Sequence, residues 1–382
     1  MPHFEPTVQA AQLRLDAVRP DDYARTRNAL DGAVTRLSPY LTHGLLSLSE
    51  VYNTVHARHA LHPQHKLVFE LGWRAYYRHV WEHLEGGIDQ SLHAGLLPDS
   101  AYQSEIPLDV LEARTGIPAM DLAVRELYET GYIHNHARMW LASYLVHLRR
   151  VHWRAGADWL YAHLLDGDLA SNHLSWQWVA GTFSHKPYLF NADNVARYAP
   201  AAWHSTGSVI DTSYEALDEI ARGGRLPAVR PSGDGVEEPA LHHRPPEAMR
   251  AVRADIAFVA DRDVWLIHPW ALREPPPDLP TDALRVSICA ADFHDAWAWS
   301  DKRWDFVGTR MAALSPHCWH DSAAAICNAL RGARSVHSVD DPHLDAAIRP
   351  LTANSPPRHL FAEIERPCSS FSKWWKYASD TR

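Results

Sequence analysis

The stretch Leu164–Gly181, LLDGDLASNHLSWQWVAG, governs how the rest of the chain is read. Two aspartates, Asp166 and Asp168, flank a single glycine. Asn172 stands four residues beyond the second, and Trp176 and Trp178 enclose Gln177 shortly after. A lone DGD is an ordinary hydrated turn or helix cap, because Asp readily accepts from the orphan N–H groups of a helix start. The whole string is far more specific than that turn.

Upstream, Thr35–Gly44 reads TRLSPYLTHG. Its hydroxyls, arginine and backbone N–H groups before a proline-started segment suit a pyrophosphate, and equally an ordinary capped helix start. Residues 1–200 read as nearly all helix. Val68, Leu71, Gly72, Ala75 and Val80 fall near helical spacing, as do Leu122 and Leu127, then Met139, Leu141, Leu145 and Leu148 after a break at Gly131. From about Gly223 to Pro246 the chain is rich in Gly, Pro and charge, a linker or exposed loop. Beyond it the texture changes. Ile256–Ala260, Val264–His268, Leu284–Ala290 and Val336–Val339 are short apolar runs expected as buried strands, and helical patterns around Trp304–Leu314 and Ala325–Leu330 lie between them. The expected fold class is therefore α + α/β: a helical domain over 1–222, a linker over 223–250, and a small Rossmann-like α/β domain over 251–382 with a mostly parallel sheet. No Gly-rich phosphate fingerprint marks the second domain.

Composition bounds the function. The 382 residues hold 46% hydrophobic and 22% charged residues, ordinary for a globular chain. No run is long and apolar enough for a membrane helix, and MPHFEPTVQA lacks the basic and apolar regions of a secretory signal, so a cytoplasmic protein is expected. Cys289, Cys318, Cys327 and Cys368 are irregularly spaced without a CxxC pair, which argues against a disulfide framework or metal site. The net charge of −9 is unevenly spread: residues 1–220 hold 17 Lys+Arg against 25 Asp+Glu, or −8, and the remainder 20 against 21, or −1. A duplex-DNA binder normally carries a basic footprint, so this distribution counts against tight, non-specific duplex binding. Sixteen Trp exceed what core filling ordinarily requires.

Together with FELGWRAYYRH (Phe69–His79) and TGYIHNHARM (Thr130–Met139), the two strings resemble the flavin-binding domain of DNA photolyases and cryptochromes, over roughly Phe4–Pro200. Four motifs appear in the family's order and near its spacing. The resemblance implies an all-helical, photolyase-type domain holding FAD in a U shape. It implies that Tyr23, Thr35, Arg36, Leu37 and Ser38 surround the flavin phosphates and ribityl chain. Arg74 and Arg138 would lie close to the isoalloxazine, with Asp166 as the acidic partner between them; an arginine there favours the reduced, anionic flavin. Asp168 would stand at the flavin N3 edge and ribityl region, and Asn172 beside N5. An amide is no strong proton donor, which suits an electron-transferring flavin.

On the substrate side, Glu70, Trp73, Asn135 and Met139 match the residues that hydrogen-bond, stack on and contact a flipped pyrimidine dimer. Relatives that repair (6-4) photoproducts need histidine where Asn135 stands, so cyclobutane dimers are implied. Trp176 and Trp153 match the first two members of an electron relay; Tyr102 is the nearest candidate for the third, with Trp140 as an alternative route. The implied activity is a light-driven, FAD-dependent deoxyribodipyrimidine photolyase acting on UV-damaged DNA, with single strands favoured because His136 replaces an arginine expected against phosphate. The alternative is a cryptochrome-like blue-light photoreceptor that reads out to a protein partner through the C-terminal domain. The family's antenna domain does not precede the flavin pattern. Val264–His268, KRWDFVGTRMAAL (Lys302–Leu314) and SFSKWWKYAS (Ser370–Ser379) resemble its pieces, so a rearranged domain order is expected, with the antenna chromophore unassigned.

Overall fold

Asp168 and Gly181, both within the key stretch, bound a helix. The Asp168 side chain accepts from Ser171 N at 2.8 Å, and Gly181 closes the helix in the left-handed region (φ 83°). A computed structural model describes residues 3–84, 87–184, 186–355 and 359–379, with the backbone alone described at 353–355. Among the described residues every regular element from Val8 to Ala221 is helical. The helices that matter for the site are α1 (Pro20–Thr26), α2 (Ser38–Thr42), α3 (Lys66–Glu82), α4 (Asn135–Ser143), α5 (Trp153–His163) and α6 (Leu169–Ala180). Nine of the twelve residues of α6 are buried, so it has no solvent stripe and runs through the middle, packed on α3, α4 and α5. Leu145 and Leu148 fall in a π-helical turn, Tyr144–Leu148, that follows α4.

The C-terminal half is a five-stranded, all-parallel sheet of β1 (Asp263–Ile267), β2 (Leu284–Ala290), β3 (Cys318–Asp321), β4 (Ser335–Val339) and β5 (Ala353–Ser355), in the order β3-β2-β1-β4-β5. That is a doubly wound, Rossmann-like order whose switch point lies between β1 and β4. Expected strands over 264–268, 284–290 and 336–339 coincide with β1, β2 and β4. The segment 256–260 does not: Ile256–Val259 is a helical turn capped by Asp255, whose side chain accepts from Ala257 N. A short apolar run cannot by itself separate strand from helix, and the cap decides here. β3 and β5 were not among the expected strands.

The sheet is completed by α7 (Asp301–Leu314), and the described chain closes with α8 (Phe371–Ala378). The stretch 223–246 is largely exposed but pinned: Val236 N donates to Glu112 O at 2.8 Å, and Leu241–His242 pairs antiparallel with Trp299–Ser300. One apolar core runs through both halves, joining Leu15, Tyr40, Val68 and Leu174 to Trp265, Ile267, Trp299, Trp304 and Trp375. All four cysteines are free and buried. Among the described residues no cluster could hold a metal ion, and no helix is long and apolar enough to cross a membrane.

Candidate functional site

Helical periodicity places Glu70, Arg74 and Arg78 on one face of α3, and the structure adds Tyr77 beside them. Arg74, Arg78 and Arg138 retain 20%, 27% and 22% side-chain exposure although helices surround them. They therefore border a partly solvent-open hollow. Asp166 and Asp168 lie at its floor with side-chain exposures of 3% and 2%.

The charge pairing differs from the one implied by resemblance. Arg138 holds both oxygens of Asp166, at 3.0 and 2.9 Å, but Arg74 does not share that carboxylate. Its guanidinium lies 3.5 Å from Asp168 and donates to Thr42 Oγ1 at 2.9 Å. Thr42 in turn donates to the Asp166 carbonyl at 3.1 Å. Asp166 is thus not the partner between the two arginines, because Asp168 lies nearer α3. Arg78 makes a second contact to Asp168 at 3.1 Å. Burial opposes ionisation of Asp168, but Arg74 and Arg78 outweigh it and hold the carboxyl well below the usual carboxylate range.

Asn172, 9% exposed, donates through Nδ2 to Ala157 O at 2.8 Å, which fixes the amide and leaves Oδ1 as an acceptor. In the loop before α2, Arg36 adopts φ 51° and its buried Nε has no protein partner, while Leu37 N donates to Thr35 Oγ1 at 3.4 Å. Buried Ser171 Oγ is likewise unpartnered. Because α2, which Ser38 begins, has only five residues, side-chain donors must do more than a helix dipole at this loop. Tyr23 lies within α1, its hydroxyl pushed well above the ordinary tyrosine range by burial and then by Glu70. Three guanidinium groups, unpaired buried donors and an open amide acceptor fit a large, anionic, ring-bearing cofactor such as FAD.

The residues expected to meet the substrate sit on the helices that carry these arginines, Glu70 and Trp73 on α3 and Asn135 and Met139 on α4. Glu70 pairs with Arg27 at 3.4 Å, and burial raises its carboxyl despite that cation. Asn135 Nδ2 lies 3.5 Å from Met139 Sδ, one turn along α4. Trp73 stands among Tyr76, Tyr77 and Phe371, and Phe371 of α8 stacks flat on it at 4.1 Å and 9°. His136 packs between Trp140 and Tyr198, its pKa lowered to about 4 by burial and then by Arg27, so it supplies no cation near neutral pH.

For the expected relay, Trp176 (2% exposed) lies against Gly156 of α5, one turn beyond Trp153. Trp153 donates to Ser91 Oγ at 2.8 Å, and its ring follows on to His152 (5.7 Å) and Tyr102 (6.2 Å from His152). Tyr102 therefore stands at the outer end of a path of rings, with its hydroxyl pKa raised by burial. Trp140 is fully buried and donates to Asn194 Oδ1, so it offers no surface exit.

The sequence reading missed Arg78, Thr42, Arg303, Asp341 and His343. Arg78 was findable, being four residues after Arg74 on the same face. Asp341 and His343 sit just after an expected strand, where parallel sheets place binding groups, but nothing local shows that they reach α3 and α6.

Residues 67–206 match the family model described as the FAD binding domain of DNA photolyase. The chain is 32% identical over 197 residues to the deoxyribodipyrimidine photo-lyase of Synechococcus sp., covering 46% of this chain and 39% of that protein. It is 32% identical over 168 residues to the cryptochrome DASH of Idiomarina loihiensis, covering 42% of this chain and 37% of that one. The crystal structure of a Synechocystis sp. cryptochrome aligns with a TM-score of 0.45 at 30% identity, covering 50% of this chain and 43% of that one. The chain spans less than two fifths of the length of the two curated relatives. On its family model and its curated relatives, the chain over residues 67–206 is similar to the FAD binding domain of DNA photolyases and to cryptochromes.

Proposed function

We propose that this chain is a light-driven, FAD-dependent DNA photolyase that splits cyclobutane pyrimidine dimers, favouring dimers in single-stranded DNA. The observation that carries the reading is the pairing of Arg138 with Asp166 and of Arg74 and Arg78 with Asp168, on the same two helices, α3 and α4, that carry Glu70, Trp73, Asn135 and Met139. These arginines and aspartates would hold FAD, which when reduced would supply the light-driven electron that splits the dimer and is then returned. Arg74, Arg78 and Arg138 stabilise negative charge in the hollow. Asn172 would offer the flavin its fixed amide oxygen as an acceptor, and Tyr23 with the Thr35–Ser38 loop would hold the phosphate and ribityl end. Trp73 supplies the aromatic platform, with Glu70 and Asn135 reading the edges of the flipped bases. Glu70 would accept a hydrogen bond there, its carboxylate open on one side and paired with Arg27 on the other. Trp176, Trp153 and Tyr102 would return electrons from the surface. The helical acidity and the uncharged His136 support the single-strand preference.

We further propose three parts to the chain: a flavin unit over 1–222, a connecting stretch over 223–250, and an antenna-like unit of rearranged order over 251–382, acting in the cytoplasm. A second reading, a cryptochrome-like photoreceptor without repair, is favoured by the Phe371 stack on Trp73, which occupies one face of the platform. Absorption spectra of purified protein before and after blue light test the flavin chemistry. Illuminating the reduced protein with a dimer-containing single-stranded oligonucleotide separates the two readings: restored thymines support repair, and their absence refutes it.

A further inference from the structure

The two halves meet around the Asp166–Gly167–Asp168 turn, and there the contact is polar rather than apolar. In an open parallel sheet the crevice beyond the switch point usually receives a ligand. Here the chain's own side chains fill it. Trp270, after β1, lies flat on His343, after β4, at 4.7 Å and 10°, and Phe293 packs edge-on against Trp270 at 4.8 Å. What projects from the crevice is Asp341. One of its oxygens takes Arg78 at 2.6 Å and the other takes the His343 Nδ1–H at 2.7 Å. With its proton on Nδ1, His343 presents a lone pair at Nε2, which accepts the Leu169 N–H at 3.2 Å, the first amide of α6. Arg78 spans from Asp341 to Asp168.

From the other side Arg303 of α7 enters the same turn. It is fully buried and no carboxylate pairs with it among the described residues. Its Nη2 donates to Gly167 O at 2.6 Å and its Nη1 to Tyr161 O at 3.1 Å, with the guanidinium 4.0 Å above the Trp299 ring. A Cβ at Gly167 would stand 2.5 Å from Nη1, so this approach requires glycine in the middle of the DGD turn. A buried cation without a counter-ion is costly, and placing Nη1 and Nη2 on main-chain carbonyls, with Nε left without a protein partner, makes it a geometric clamp.

The geometry points to Asp341, His343 and Arg303 as positioning residues that the C-terminal half supplies to the Asp166–Asp168 turn, setting the flavin-facing carboxylates from outside the flavin-binding helices. This rests on the flavin reading above. Asp341 and Arg303 put opposite charges behind the same turn. Removing the anion with Asp341→Asn leaves an excess of positive charge and favours reduced flavin; removing the cation with Arg303→Met does the reverse. Loss of packing alone would move both variants the same way.

The test uses the full-length protein carrying FAD, with the reduced-to-oxidised flavin ratio read against a reference dye. Hydrogen exchange of the Leu169–Asn172 amides is measured in parallel. Shifts of about threefold or more, opposite in sign for the two variants, are expected from unit charges acting through a low-dielectric interior. The Leu169 amide should exchange faster in Asp341→Asn and in His343→Phe, and Asp341→Glu should recover part of that protection. Arg303→Lys, which keeps the charge, serves if Arg303→Met does not fold. Flavin shifts of the same sign, or unchanged exchange at Leu169, overturn the proposal. A wild-type protein that takes up no FAD refutes the flavin reading instead, and the exchange measurement still decides whether the C-terminal half clamps the turn.

Discussion

Acidification from about pH 7.5 to 5.5 should destabilise this fold through its buried histidines. His79 and His134 are 6% exposed, and His147 and His294 are 1% exposed. Burial lowers the first three to about 4 and His294 to about 3. Cys368 N–H donates to His79 Nε2 and His136 N–H to His134 Nδ1, bonds that protonation of those nitrogens would break. The sign follows from linkage. A ring whose folded pKa lies below its unfolded value of roughly 6.5 takes up its proton in the unfolded chain first, so stability is present above that value and falls as pH drops below it. Over this interval each unfolded ring gains nearly a full proton and each folded ring almost none. That is about 1.4 kcal/mol per histidine and about 5 kcal/mol for the four, against the ~5–15 kcal/mol that holds a typical domain folded. Burial raises the carboxyls of Glu70, Glu82 and Glu126, which act in the opposite sense, while His43 and His136, also lowered by burial, add to the effect. Asp168 and Asp341, held low by arginine neighbours against burial, lose their contribution only below the ordinary carboxylate range. Urea unfolding followed by tryptophan fluorescence at the two pH values measures the effect. His147→Gln should lessen the pH difference by roughly one histidine's share. A midpoint that is equal or higher at the lower pH would refute the reasoning.

Two other perturbations address the proposed relay. Gly156→Ala should raise local helix propensity by ~1 kcal/mol yet lose about 1–3 kcal/mol by driving a Cβ into the buried Trp176 ring, for a net loss seen as a lower urea midpoint; a higher midpoint would show that the contact is slack. Trp176→Phe should slow flavin photoreduction under blue light by at least about tenfold, since a less oxidisable ring replaces the inner member of the path; unchanged kinetics would exclude this relay.

Local chemistry made much of the molecule legible. Helical periodicity and the Gly131 and Gly181 stops announce the helices, because they depend on residues within a turn or two of one another. The apolar runs at 264–268, 284–290 and 336–339 announce buried parallel strands for the same reason. Ile256–Val259 escaped because four apolar residues fit either period, and β3 because Cys318–Asp321 is half polar. The motif residues of the hollow were also legible, each in its own string. Their pairing was not: Arg74 turns to Asp168 instead of Asp166 because the distance between α3 and the DGD turn is a property of packing.

The DGD turn shows where the boundary lies. By itself the sequence determined that the DGD is a turn or helix cap, that Asn172 follows one turn later, and that these residues resemble a flavin site, since turn chemistry and spacing are local. Only the tertiary structure decided what holds the turn. Arg303, Asp341 and His343 lie 135 or more residues beyond it, and no local signal marks their partners. Hydrogen bonds and ion pairs of such separation form only after both layers have packed, so their geometry is a consequence of the fold.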